Sequence, residues 1–179
     1  KNSFHGRTIT TLAATGQDVF HKDFLPLTDG FIYCEANNCE ELEKRFSKKK
    51  NLPTCLYLTS PDYLGNLLDI SGLAKVTNKY GILLLVDNAH GAYLKFLPES
   101  RHPIDMGADM CCDSAHKTLP ALTGAAYLHI APGAPKMLFE CARTAMAMFG
   151  STSPSYLPPP QTVDCAPMPS AMNSKTAPV

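Results

Sequence analysis

Short, unbroken apolar runs alternate through the middle of this chain with segments whose apolar positions recur every three or four residues. Thr54 to Thr59 predicts a buried strand, and Ser60-Pro61-Asp62 turns the chain after it. Asp69 to Tyr80 predicts an amphipathic helix with Ile70, Leu73, Ala74 and Thr77 on one stripe and Gly81 as its stop. Ile82 to Val86 is apolar throughout and of strand length, as a parallel strand covered on both faces would be. Asp109 to Cys112 and Ala125 to Ile130 predict further strands, and Pro135 to Phe149 a helix with proline near its first turn. Strand, helix and strand in this order is the βαβ pattern of an open α/β sheet, whose ligands sit beyond the carboxyl ends of the strands.

The flanks are less regular. Arg7 to Thr15 predicts a short helix stopped by Gly16, then an irregular stretch to Leu27, and Phe31 to Cys34 predicts a strand. Asn38 to Lys50 predicts a helix capped by Asn38, with Glu40, Glu41 and Glu43 early and Lys44, Arg45, Lys48, Lys49 and Lys50 late. That order suits the helix dipole, and the charges form a solvated face. Residues 158–179, with Pro158-Pro159-Pro160 and then Pro167, Pro169 and Pro178, show no periodicity and predict a disordered or loosely extended tail.

Composition narrows the functional classes. The chain of 179 residues suits one domain with a real core, and its 16 basic residues balance 16 acidic ones. Neither nucleic acid nor an anionic membrane is therefore expected as a partner. No apolar run is long enough to span a membrane, the N-terminus lacks a signal-peptide layout, and Lys1 in place of Met suggests upstream sequence. Seven cysteines without a CxxC pair imply neither a disulfide framework nor a zinc site, and no metal is expected. Cys111 and Cys112 read as small buried hydrophobes, and a reducing cytoplasm is the natural compartment.

Two strand ends carry the candidate chemistry. Asp87-Asn88-Ala89-His90-Gly91 follows one apolar run, and Asp113-Ser114-Ala115-His116-Lys117-Thr118 follows the next. An aspartate ending a buried strand wants a cationic partner. A lysine beside serine and histidine supplies an amine together with donors for a phosphate. A carboxylate for a pyridine nitrogen, an amine for an aldehyde and phosphate donors are what pyridoxal 5'-phosphate requires. Either residue alone has a plainer reading, Asp87 as a turn or cap and Lys117 as a solvated lysine.

The segments Thr59-Ser60-Pro61-Asp62-Tyr63-Leu64-Gly65, Leu84-Leu85-Val86-Asp87-Asn88-Ala89-His90-Gly91-Ala92, Gly107-Ala108-Asp109-Met110 and Asp113-Ser114-Ala115-His116-Lys117-Thr118-Leu119-Pro120 resemble the large domain of the ornithine/lysine/arginine decarboxylases. That family has the partial open, mostly parallel sheet of fold-type-I pyridoxal-phosphate enzymes, and the similarity spans about residues 52–157. The resemblance implies that Asp87 pairs with the pyridinium nitrogen, Ala89 packs on the ring and Lys117 forms the Schiff base. It places Ser114 and His116 at the phosphate or beside the Schiff base, and His90 further out. Phe149-Gly150-Ser151-Thr152-Ser153-Pro154 resembles a loop whose Thr152 would reach the cofactor of a neighbouring subunit, which implies a homodimer.

Residues 1–46 resemble a different family, the class III aminotransferases and acetylornithine aminotransferase in particular, through Asn2-Ser3-Phe4-His5-Gly6-Arg7-Thr8 and Thr11-Leu12-Ala13-Ala14-Thr15-Gly16-Gln17. There Phe4 would stack on the cofactor ring. The separation of Phe4 from Asp87 suits both layouts, so the junction near Ser47 keeps register between an aminotransferase-like segment, a cofactor-binding segment over 47–157 and an unmatched tail over 158–179. A phosphate-cupping glycine turn and a small C-terminal domain, which both families have, are expected to lie outside this sequence. The expected function is that of a fragment of a pyridoxal-phosphate-dependent decarboxylase of a basic amino acid (ornithine, lysine or arginine). The alternatives are an aminotransferase, or a non-catalytic remnant of the fold.

Overall fold

In the computed structural model, which describes residues 3–48 and 50–150, the apolar runs assemble into one four-stranded sheet. Its strands are β1 (Cys55–Thr59), β2 (Leu83–Asp87), β3 (Met110–Asp113) and β4 (Tyr127–Ile130), in that spatial order. The pairs β1–β2 and β2–β3 are parallel, and β4 closes the edge antiparallel to β3. Five α-helices lie among the described residues: α1 (Ile9–Ala14), α2 (Cys39–Phe46), α3 (Ile70–Lys79), α4 (Ala115–Thr118) and α5 (Lys136–Phe149).

Local chemistry explains where the helices start. The Asn38 side chain accepts from Glu41 N at 3.0 Å and the Asp69 side chain from Gly72 N at 2.9 Å, so each cap satisfies a donor the helix cannot. Thr8 and Thr11 cap α1 reciprocally. Pro135 stands one residue ahead of α5, at its cap and not within its first turn. The charged face of α2 reaches α3 through a Glu43–Lys79 ion pair.

All four stripe residues of α3 are buried, against a core that includes Leu42 and Phe46 of α2, Leu84 and Val86 of β2 and Cys111 of β3. Burying a leucine as completely as Leu84 contributes about 1.5–3 kcal/mol. Along β2 the burial alternates, with Leu84 and Val86 sealed and Leu83 and Leu85 half-buried. The second face of this strand is thus partly open, where full cover was expected.

The strand expected over Phe31 to Cys34 does not form, and these residues are irregular. A strand exists only where a neighbour completes its hydrogen bonds, and none of the four strands lies alongside. Instead the Tyr33 hydroxyl donates to Ala13 O at 2.7 Å, tying the segment to α1.

Gly91 marks a close approach. A Cβ there would collide with Asn88 Oδ1 and lie 2.6 Å from Pro61 Cδ. Gly91→Ala is expected to destabilise the fold by about 1–3 kcal/mol through overpacking. Urea denaturation monitored by circular dichroism measures this, and an unchanged midpoint would show that the turn has room to relax.

Candidate active site

Side chains alternate across a strand, so the register decides which residues share a face. Thr59, Asp87 and Cys112 occupy matched positions of β1, β2 and β3. Cys111 and Asp113, one residue to either side, project from the opposite face, the one that α3 covers. The two aspartates that end apolar strands both touch the same cleft but have different hydrogen-bond partners.

Asp87 is buried, and the His5 ring, itself buried, donates from Nδ1 to Asp87 Oδ2 at 2.9 Å. Asp87 Oδ1 accepts from Ala89 N at 3.2 Å and is 4.0 Å from Cys112 Sγ. The His5 ring stacks on Tyr57 with centroids 4.0 Å apart, and Thr15 Oγ1 accepts from its backbone N at 3.1 Å. The N-terminal segment is thereby laid over the open face of the sheet. Burial, and after it the Asp87 charge, pushes the Tyr57 phenol up and the Cys112 thiol up to about 12. Both groups are neutral donors at physiological pH. His5 is the hydrogen-bonding partner of this strand-end aspartate, a place for which the sequence pattern named no residue. The signal was present in the His5 of the Phe4-His5-Gly6 segment.

Lys117 lies in α4, the single helical turn that follows β3. Ala115 is fully buried beneath it and Leu119 N donates to Ala115 O at 2.8 Å, which fixes the turn. Lys117 Nζ donates to His90 Nε2 at 3.3 Å, and the edge of the Tyr63 ring meets His90 at 5.7 Å between centroids. Burial and then the Lys117 charge hold His90 below the usual imidazole range, so it is a neutral acceptor at pH 7. Lys117→Ala is expected to raise the His90 titration midpoint, readable by NMR. A midpoint that stays or falls would mean that the ammonium does not act on this ring.

A cleft of about 580 Å³ opens above these strand ends. Asp87, Ala89, Ser114, Lys117 and Phe4 all line it, together with His90. Ser114 stands at the cap position of α4 but does not bond the helix with its side chain. Thr59 Oγ1, also on the cleft wall, is buried without a hydrogen-bond partner. Phe4 is 43% exposed and packs against Phe20 at 5.3 Å. His116 does not line the cleft, because its Nδ1 donates to Ala125 O at 3.0 Å in the loop before β4. Thr152 lies outside the described residues.

On the other face Asp113 accepts three hydrogen bonds, from Asn88 Nδ2 at 2.6 Å, His102 Nε2 at 3.2 Å and His129 Nε2 at 2.9 Å. Burial alone would raise its carboxyl, but these bonds and the His102 charge outweigh it and hold Asp113 well below the carboxylate range. Asn88 follows Asp87 directly, so this network also anchors the strand end that presents Asp87 to the cleft.

Comparison with known proteins places this geometry. The chain is 45% identical over 78 residues to the uncharacterized protein YaaO of Bacillus subtilis, covering 42% of this chain and 16% of YaaO. It is 31% identical over 105 residues to arginine decarboxylase of Bacillus cereus, covering 57% of this chain and 22% of that enzyme. It is 53% identical over 47 residues to acetylornithine aminotransferase of Haemophilus ducreyi, covering 26% of this chain and 12% of that enzyme. The matches thus span about a fifth or less of their length in two of these relatives and slightly more in the third. Among solved structures, ornithine aminotransferase from Toxoplasma gondii, in which PLP partly occupies the active site, aligns with a TM-score of 0.59 at 16% identity. The alignment covers 79% of this chain and 33% of that one, and at this identity it shows the fold, that of fold-type-I enzymes. The family model described as "Orn/Lys/Arg decarboxylase, major domain" matches residues 30–166. That match begins within the aminotransferase-like flank and runs into the proline-rich tail. Because it covers well over half of the sequence, the chain belongs to the Orn/Lys/Arg decarboxylase major-domain family.

Proposed function

We propose that this chain holds pyridoxal phosphate in the cleft at the ends of β2 and β3 and serves as the cofactor-binding part of a basic amino-acid decarboxylase. The observation that carries the reading is that Asp87 and Lys117, from successive strand ends, line one cleft together with Ser114 and the partnerless buried hydroxyl of Thr59. The donor set fits the group, since it offers a carboxylate, a primary amine and hydroxyls within a volume typical of ligand sites. When bound, pyridoxal phosphate supplies an electron sink for negative charge developing at the substrate Cα.

The residues of the chain do the positioning. Asp87 would hold a proton on the ring nitrogen, and His5, clamped between Tyr57 and Asp87, keeps the carboxylate aimed. Lys117 would provide the amine for the cofactor's aldehyde. His90, 3.3 Å away and neutral, accepts a hydrogen bond from the Lys117 amine and orients it in the cleft. Ser114 would offer its hydroxyl to the phosphate, and Ala89 and Phe4, which line the same cleft, would pack on the ring. His116, turned to Ala125 O, would act from outside the cleft wall.

Treatment of the full chain with pyridoxal phosphate and borohydride, followed by peptide mapping, tests the reading. The label is expected on Lys117. A label spread over Lys48 and Lys50 and absent from Lys117 would overturn it. A decarboxylase further implies carbon dioxide release from ornithine, lysine or arginine above that of free pyridoxal phosphate and dependent on Lys117. The acetylornithine aminotransferase similarity, at 53% identity over 47 residues, favours a second reading, in which the amino group passes to a 2-oxo acid. Product analysis on the same substrates separates the two. A homodimer, completed through the segment that contains Thr152, and a cytoplasmic setting for the free cysteines belong to the proposal as well. No helix among the described residues is long and apolar enough to cross a membrane.

A further inference from the structure

The network around Asp113 contains more than hydrogen-bonding groups. Cys111, two residues earlier on the same face of β3, places its sulfur 3.7 Å from His102 Nε2. The donor atoms of His102, Cys111 and Asp113 all lie within 4.8 Å of one another. We propose that His102, Cys111 and Asp113 form a site for one thiophilic divalent cation of the zinc class, on the sheet face opposite Asp87.

Geometry carries the assignment. A tetrahedral zinc ion, with bonds of about 2.0 Å to nitrogen and oxygen and about 2.3 Å to sulfur, sets its ligands roughly 3.3 Å (N to O) and roughly 3.6 Å (N to S) apart. The edges here are 3.2 Å between His102 Nε2 and Asp113 Oδ2 and 3.7 Å between Cys111 Sγ and His102 Nε2. All three residues are buried, with exposures of 2%, 2% and 4% in chain order, so the ligands are held by packing and need little ordering. His129 Nε2 stands 2.9 Å from the same carboxylate oxygen, and its side chain is 38% exposed. It supplies a fourth ligand after a small ring movement, and a route for the ion from solvent.

The chemistry agrees with the geometry. Histidine, cysteine and carboxylate together select zinc-like ions over magnesium or calcium, which prefer oxygen alone. Without a cation, burial and the adjacent Asp113 charge push the Cys111 thiol up and keep it protonated. A dipositive ion between the two sets that repulsion aside. The thiol proton leaves to solvent as the sulfur–metal bond forms, and the Nε2 proton that His102 donates to Asp113 is given up as well, so that Nε2 binds the ion and one ring proton remains on Nδ1. Asn88 would then hold the Asp113 carboxylate from outside the coordination sphere at 2.6 Å, linking the ion to the strand end that carries Asp87.

Cobalt titration of the full, chelator-stripped chain tests this site. One equivalent is expected to produce a thiolate-to-cobalt charge-transfer band with tetrahedral ligand-field absorption, both erased by zinc. Cys111→Ser should lose the charge-transfer band, while Cys141→Ser, an exposed thiol on α5, should keep it. His102→Gln should weaken cobalt binding at least tenfold and reports on the site if the serine variant does not fold. Absence of the band in folded wild-type chain, its persistence in Cys111→Ser, or unchanged affinity in His102→Gln would each overturn the proposal.

Discussion

Asp87→Asn is expected to weaken pyridoxal phosphate binding roughly 10- to 100-fold while leaving the fold intact. Asparagine keeps the shape and an oxygen that can accept from Ala89 N, which lies 3.2 Å from Asp87 Oδ1 in the native chain. It removes the negative charge that a pyridinium proton would meet. A hydrogen bond to a charged group contributes about 1.5–3 kcal/mol, and every 1.4 kcal/mol is about tenfold in Kd. Any chemistry at Cα should fall further, by orders of magnitude, because charge developing on the ring would lose its fixed counter-charge. Titration of wild type and variant with the cofactor, followed by absorbance, measures the binding effect. Equal Kd values would reduce Asp87 to a turn residue that holds the Ala89 N–H and the His5 ring.

The largest effect on stability is expected at Asp113. Alanine there removes the acceptor shared by Asn88, His102 and His129, two of which are buried. Breaking a buried charge-assisted network by deleting one partner costs about 3–5 kcal/mol, since the donors left behind are desolvated and unpaired. Asp113→Asn retains one acceptor oxygen and should lose distinctly less. Urea denaturation of metal-free wild type and both variants gives the comparison. An alanine variant within about 1 kcal/mol of wild type, below the usual cost of one buried unpaired donor, would mean that water reaches the histidines and replaces the carboxylate.

The sheet was legible because its signal is local. An apolar run such as Leu83 to Val86 must leave water wherever it goes, and the stripe Ile70, Leu73, Ala74 and Thr77 fits only a helix with one covered face. Helix starts were legible for the same reason, since Asn38 and Asp69 satisfy donors three residues away. The candidate site was half legible. Asp87 ends β2 and Lys117 lies in the helical turn that follows β3, and strand ends in an open sheet face ligands.

What stayed hidden depends on residues distant in the chain. His5 reaches Asp87 across 82 positions, and no pattern in either segment specifies that contact. The direction of β4 is set by how the chain returns after α4, and that return also aligns His129 with Cys111. Phe31 to Cys34 has the composition of a strand, but it is not paired with any of the four described strands. His102, Cys111, Asp113 and His129 have no recognisable ligand spacing; from sequence Cys111 reads as a core thiol and Asp113 as a strand-end acid, and neither histidine carries a signal. The difference is physical: desolvation and capping act on each segment separately. Pairing, facing and ligand convergence are properties of the packed chain, fixed by strand register and by the covering of one sheet face by α3.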